Sequence, residues 1–163
     1  MINLVRLDER LLHGQVAIKW SRHLDIDRIL ICNDEASKNE IIQKSLLMAA
    51  PQNIKVAIKD LKTSIKILND DRMAKVKVLV IISRIEDLLN LVKNVEEIKN
   101  INIGNYGRIA AKNNNEQRKR YRSNLYLYSE EKDNLLTIIK QNKNVIYQTI
   151  PDDNPEKLST ILE

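Results

Sequence analysis

The sequence predicts an α/β fold, doubly wound: an open, mostly parallel central sheet with helices on both faces. Three observations predict it. Short apolar runs alternate with longer segments of helical spacing along the chain. The run from Lys75 to Ile82, carrying Val76, Val78, Leu79, Val80, Ile81 and Ile82, is nearly all apolar, the pattern of a central strand buried on both faces. Residues that favour helix starts, Asn33-Asp34, Asp60 and Ser83, follow the apolar runs directly.

The elements follow in order. Ile2 to Leu7 and Ile26 to Cys32 read as strands. Glu35 to Ala50 has helical spacing, with Ile41, Ile42, Leu46, Leu47 and Ala50 on one side, and Pro51-Gln52-Asn53 breaks it. Ile54 to Ile58 is a third strand, and Asp60 caps a helix carrying Leu61, Ile65 and Leu68. Ser83 is placed to cap the helix containing Leu88, Leu89 and Val92. Ile101 to Ile103, Leu125 to Tyr128 and Val145 to Ile150 are later strands. Between the last two lies a helix from Ser129 to Gln141, whose Glu130 and Glu131 suit a helix N-terminus although Ser129 and Lys132 form no capping box. Asn113-Asn114-Asn115 reads as a loop, and Pro155 opens a short last helix to Leu162.

The 163 residues suit one domain, 1–163, with a full core. With 43% hydrophobic and 30% charged residues the composition is that of a globular protein, and no apolar run approaches the roughly 20 residues of a membrane span. The first residues lack the pattern of a secretory signal, so a cytoplasmic location is expected. Cys32 is the only cysteine, which excludes an intrachain disulfide and a cysteine-rich metal site; it reads as a packing residue. The formal charge of +5 fits nucleic acid, an anionic surface or an acidic partner. Interspersed Glu and Asp, and Lys, Asn and Ile throughout, make it a property of composition first.

In open parallel sheets the ligand site lies beyond the carboxyl ends of the strands, here the loops starting at Asp8, Asn33, Ser83 and Gly104. The first, Arg6-Leu7-Asp8-Glu9-Arg10-Leu11-Leu12-His13-Gly14-Gln15-Val16, leads from a strand into a helix running through Ala17, Lys19 and Trp20. It brings together one histidine, two arginines and the Asp8 carboxylate, with Glu9 beside it. A neutral imidazole is a nucleophile near pH 7. Arginine offers charge-assisted hydrogen bonds to phosphoryl oxygens, and free N–H groups at a helix start favour an anion. Asp8 can fix the imidazole tautomer or position Arg10. The residues by themselves indicate an anion or phosphoryl site.

This segment resembles the signature of the IIB components of mannose/fructose/sorbose-family sugar phosphotransferase systems, Arg-(Ile/Leu/Val)-Asp-(Asp/Glu)-Arg-Leu-(Ile/Leu/Val)-His-Gly-Gln-Val, with Trp20 where that family places a tryptophan. Ile31-Cys32-Asn33-Asp34-Glu35, Met48-Ala49-Ala50-Pro51 and Ile101-Asn102-Ile103-Gly104 resemble further family segments in order, so the resemblance spans residues 2 to about 150. It implies a phosphohistidine–sugar phosphotransferase. His13 receives a phosphoryl group on Nδ1 from a IIA protein and passes it to a sugar entering through the IIC and IID membrane subunits, which hold the carrier at the inner face of the membrane. The resemblance assigns phosphoryl contacts to Arg10 and an acidic role to Asp8. It gives supporting or phosphate-binding places to Arg6, Gly14, Gln15 and Ser83. It implies no cofactor, no metal and no nucleic acid, and homodimers are common among such proteins. One departure stands out: Gly104-Asn105-Tyr106-Gly107-Arg108 replaces the family's Gly-Gly loop.

Other features have plainer readings. His23 reads as a solvated helix end and Trp20 as packing of the first helix on the sheet. Asp34 is a helix cap or also borders the site. Arg118-Lys119-Arg120-Tyr121-Arg122 is a solvated loop, a docking surface for an acidic IIA or membrane partner, or a nucleic-acid patch. The altered loop with this run gives a second reading, a binding or regulatory module on the same fold.

Overall fold

The computed structural model describes residues 1–113 and 115–163; Asn114 of the expected Asn113–Asn115 loop lies outside the described residues. The strands are β1 (Ile2–Asp8), β2 (Arg28–Cys32), β3 (Lys55–Lys59), β4 (Val78–Ile82), β5 (Asn100–Asn105), β6 (Lys119–Arg122), β7 (Leu125–Leu127), β8 (Asn144–Tyr147) and β9 (Glu156–Lys157). The helices are α1 (Gly14–Leu24), α2 (Glu40–Met48), α3 (Leu61–Leu68), α4 (Ile85–Asn94), α5 (Ser129–Ile139) and α6 (Leu158–Ile161), with 3-10 turns at Ala36–Lys38 and Asp71–Lys75.

Seven strands form one sheet in the order β3-β2-β4-β1-β5-β8-β9, all neighbours parallel except the β8–β9 pair. β6 and β7 make a separate antiparallel ribbon. The predicted doubly wound sheet is the one observed.

Strand alternation divides the core in two. Val5, Leu7, Leu30, Val78, Val80, Ile82, Ile101 and Ile103 pack on the side of α3 to α6. Leu4, Ile29, Ile31, Leu79 and Ile81 pack against α1 and α2 through Ala17, Trp20 and Leu46. On β1 the residues alternating with Val5 and Leu7 are Leu4, Arg6 and Asp8. Two charged side chains therefore point from a buried strand toward α1. The continuous apolar run of β4 is buried at every position, as its composition predicts.

Several boundaries differ from expectation, each for a local reason. Asn39 caps α2 by accepting from the N–H groups of Ile41 and Ile42 at 3.0 and 3.1 Å, so the Glu35–Ala50 segment splits into a 3-10 turn and a helix. The helix then turns Ile42, Leu46, Ala49 and Ala50 inward and leaves Ile41 80% and Leu47 49% exposed. Asp60 caps α3 through the Thr63 N–H at 2.7 Å, as predicted. Ser83 does not cap α4: Arg84 is its N-cap, and the Ser83 hydroxyl accepts instead from Asn33 Nδ2 at 2.8 Å. Asp34 accepts from the Leu61 N–H at 2.8 Å, tying β2's exit to α3, while Asn33 Oδ1 accepts from the Ala36 N–H. Pro155 precedes the short antiparallel strand β9 rather than opening a helix, because Glu156 and Lys157 pair with Tyr147 and Ile146.

The basic run is strand β6 and its approach, not a solvated loop. Arg118, only 6% exposed in its side chain, donates to Glu131 at 2.9 and 3.1 Å and lies between the rings of Tyr106 and Tyr128. Arg122 pairs with Glu156 at 2.7 Å. Glu131 also accepts from the Tyr128 N–H at 2.8 Å and from the Tyr106 hydroxyl. Burial and this carboxylate push the Tyr106 hydroxyl far above its ordinary value.

Cys32 ends β2 with no exposed surface, and burial pushes its thiol up to about 11, against a smaller opposite effect of the Ser64 hydroxyl. The folded protein should not react with a thiol reagent at about pH 8, where an unfolded chain reacts, since the thiolate is the reactive form. The sign for stability follows. The unfolded thiol ionises near about 8.5 while the folded one keeps its proton, so this group's contribution falls as pH rises from there toward about 11. Fast labelling of the native protein, followed by absorbance, would overturn both statements.

Candidate active site

Asp8 ends β1, and the chain then makes a tight turn closed by the Leu11 N–H donating to the Asp8 carbonyl at 2.9 Å. Leu11 adopts φ 57°, a left-handed conformation that costs a side-chain-bearing residue roughly 1 kcal/mol. Leu12 anchors the turn in the core at 3% exposure. His13 is extended and forms the N-cap of α1 without a side-chain cap, so the first N–H groups of the helix have no protein acceptor from it. Gly14 opens the helix at φ 43°; a Cβ would meet nothing within 4 Å there, so the need for glycine is one of backbone conformation.

The Asp8 carboxylate, fully buried, organises the site. Its Oδ2 accepts from His13 Nε2 and from Arg6 Nη2, both at 3.0 Å, and its Oδ1 accepts from the Arg10 N–H at 3.0 Å. A carboxylate facing Nε2 favours the ring form with its proton there, leaving the lone pair on Nδ1. The His13 side chain keeps 19% of its surface exposed.

Arg6 is 2% exposed. Besides Asp8 it donates to Asn102 Oδ1 and to the Gln148 carbonyl, and its guanidinium lies 5.3 Å from the Trp20 ring centroid. Burial pulls the guanidinium below its ordinary value, and the Asp8 charge works in the opposite direction. The contact with Asn102 follows from sheet register, since Arg6 is the parallel neighbour of Asn102. The next pairing shifts, so that Asp8 lies opposite Asn105 and Gly104 is passed over. A Cβ at Gly104 would overlap the Arg6 Cζ, Nη1 and Nη2 atoms. Trp20 donates to the Thr149 carbonyl at 3.0 Å, holding α1 on the sheet, and His23 stands edge-on to it at the surface.

The sequence-selected residues fall into two groups. Arg6, Asp8, His13 and the backbone of Arg10 meet directly. Arg10's exposed guanidinium and Gln15's exposed side chain have no hydrogen-bond or ion-pair partner among the described residues. Ser83 stands at the exit of β4, held to Asn33, on a cleft of about 340 Å³ shared with Glu9, Arg84 and Tyr106. It has no hydrogen bond to the His13 cluster among the described residues. Asn102 received no role from the sequence, although a polar residue between Ile101 and Ile103 in a buried strand signals a buried polar partner. Among the described residues no group of three or more His, Cys, Asp or Glu is placed to hold a metal ion, and no helix is long and apolar enough to cross a membrane.

Known proteins resemble this chain in sequence and in fold. The family model described as "PTS system sorbose subfamily IIB component" matches residues 2–163. A probable phosphotransferase enzyme IIB component of Streptococcus pyogenes is 40% identical over 108 residues, 66% of this chain and 66% of that protein. The sorbose-specific EIIB component of Lacticaseibacillus casei is 36% identical over 104 residues, 64% of this chain and 63% of that protein. The matched stretches thus span just under two thirds of these curated relatives. The crystal structure of the IIBSor domain of the Klebsiella pneumoniae sorbose permease superposes with a TM-score of 0.89 at 23% identity, covering 99% of this chain and 96% of that one. That of manxB from Thermoanaerobacter tengcongensis gives 0.88 at 28% identity, covering 99% and 95%. With residues 2–163 matched by the family model, the chain belongs to the sorbose-subfamily IIB components of the phosphotransferase system.

Proposed function

We propose that this chain is a phosphocarrier, one domain over residues 1–163, in which His13 Nδ1 accepts a phosphoryl group from a phosphohistidine of a IIA protein and delivers it to a sugar. The observation that carries this reading is the single contact between His13 Nε2 and the buried Asp8 carboxylate at 3.0 Å. It commits one ring nitrogen to the protein and leaves the other as nucleophile. The donor's P–N bond breaks as the Nδ1–P bond forms. A sugar hydroxyl oxygen then bonds to phosphorus as the Nδ1–P bond breaks, its electron pair returns to Nδ1, and the hydroxyl proton passes to water. Arg10, whose side chain has no partner among the described residues, is assigned to the phosphoryl oxygens, with the N–H groups of Gly14 and Gln15 at the helix start. Arg6 is assigned a supporting role: its charge is bound to Asp8 inside the sheet.

Relatives bear names of sorbose-, mannose- and fructose-specific components, and the Escherichia coli mannose protein is an EIIAB component. These names support a IIA partner and a sugar acceptor. Delivery through IIC and IID subunits at the inner membrane face, with the carrier itself in the cytoplasm, completes the proposal.

Incubation with phosphoenolpyruvate, the general phosphotransferase proteins and a IIA partner should give acid-labile label on the wild type. His13→Ala and His13→Gln should carry less than about a thousandth of it, since no other nucleophile is assigned. Label that persists in both variants would sink the proposal.

A further inference from the structure

We propose that Glu9 is a positioning residue for His13, a clamp that moors the phosphorylation turn to the segment following β5. Its consequence for phosphoryl transfer rests on the reading of His13 above; the clamp itself does not. The Glu9 carboxylate accepts four backbone N–H groups: Oε1 from Gly107, Ile109 and Ala110 at 2.9, 3.2 and 3.0 Å, and Oε2 from Arg108 at 3.1 Å. The Glu9 N–H donates to the Asn105 carbonyl at 2.9 Å, so backbone and side chain grip the same stretch. Consecutive N–H groups converging in this way form an anion cradle. Here an internal carboxylate fills it.

The segment that receives Glu9 is itself anchored. Gly107, at φ 106°, lies so close to the Tyr126 carbonyl that a Cβ would overlap it. Arg118 donates to the carbonyls of Ala110 and Ala111 at 3.0 and 2.7 Å. The Asn113 N–H donates to the Tyr128 hydroxyl at 3.0 Å. The other end of the clamp is the turn that places Asp8 and Arg10 on either side of Glu9, strained at Leu11. Without the carboxylate four N–H groups lose their acceptor, and of the two ties that Glu9 makes to this stretch only its N–H to the Asn105 carbonyl remains. Asp8 and His13 then lose alignment although neither is altered.

The sign of the effect separates this role from simple charge. A carboxylate beside an incoming phosphoryl group repels it, so neutralising Glu9 would by charge alone leave acceptance unchanged or raise it. Positioning requires the reverse. In Glu9→Gln one oxygen becomes an N–H donor facing N–H donors, and Glu9→Ala removes the acceptor altogether. Both should accept phosphoryl roughly tenfold or more slowly at saturating IIA, with the KM for IIA little changed. Amide exchange at Gly107 to Ala110 should quicken by about tenfold. In ¹⁵N spectra the His13 ring should lose its preference for the proton on Nε2. Acetate added to Glu9→Ala should refill the cradle and restore part of the rate and the protection.

Unchanged exchange at 107–110, a retained Nε2–H preference, or a rate that holds or rises in Glu9→Gln would overturn the proposal. Should wild type take no label on His13, the phosphocarrier reading falls, and the exchange and ring spectra still decide the clamp. Should Glu9→Ala fail to fold, Glu9→Gln, equal in shape, carries the test.

Discussion

Asp8→Asn is expected to lower phosphoryl acceptance on the order of 10³-fold, more than any substitution short of His13 itself. Every neighbour of the carboxylate is a donor: His13 Nε2 and Arg6 Nη2 on Oδ2, the Arg10 N–H on Oδ1. An asparagine therefore has no good orientation. If its NH₂ replaces Oδ2, it faces an imidazole N–H and a guanidinium. The ring can answer only by moving its proton to Nδ1 and accepting through Nε2, which removes the lone pair from the nitrogen proposed to attack. If the NH₂ replaces Oδ1, the turn loses the Arg10 N–H contact. In either case Arg6, 2% exposed, loses its counter-charge, and an uncompensated buried charge costs about 3 kcal/mol. Single-turnover labelling and chemical denaturation measure the two effects, and ¹⁵N spectra of the ring report the proton's position. An Asp8→Asn protein that accepts phosphoryl within about threefold of wild type would show that tautomer control by Asp8 is not part of the reaction.

The sheet was legible because its evidence is local and repeated. β4 announces itself by an apolar run, α3 by Asp60, and the loop from Asp8 to Gly14 by its chemistry and its resemblance to a known signature. What sequence reading missed depends on register and on through-space partners. Arg6 reads as a strand-end charge with a weak role. Only the pairing of β1 with β5 shows that it is buried against Asn102. Ser83 has the composition of a helix cap, yet Asn33, fifty positions away in sequence, claims its hydroxyl. Glu9 looks like a second acid in a polar loop, and its four amide partners lie about a hundred residues on. The basic run at Arg118 to Arg122 shows the same limit. Charge counts cannot reveal that Glu131 and Glu156 neutralise its two ends.

Gly104→Ala carries the other large expected effect, and its argument is steric. Gly104 is not held at a left-handed φ, so alanine meets no backbone penalty of that kind; the obstacle is the Arg6 guanidinium lying where the Cβ would be. Such a clash is cheap when the end of a flexible side chain can swing away. Arg6 cannot, because Asp8, Asn102, the Gln148 carbonyl and the Trp20 ring hold it on all sides in a buried layer. A single methyl group must therefore expel the guanidinium and strand the Asp8 carboxylate, a loss of about 3 kcal/mol. Acceptance by His13 should fall by about 10²-fold, because the carboxylate that aligns the ring moves with its partner. The test is a double-mutant cycle. In an Arg6→Ala background the guanidinium is gone and the methyl group has room, so Gly104→Ala should add less than about 0.5 kcal/mol there. An equal cost in both backgrounds would mean that the glycine is needed for its own backbone and not for the arginine it shelters.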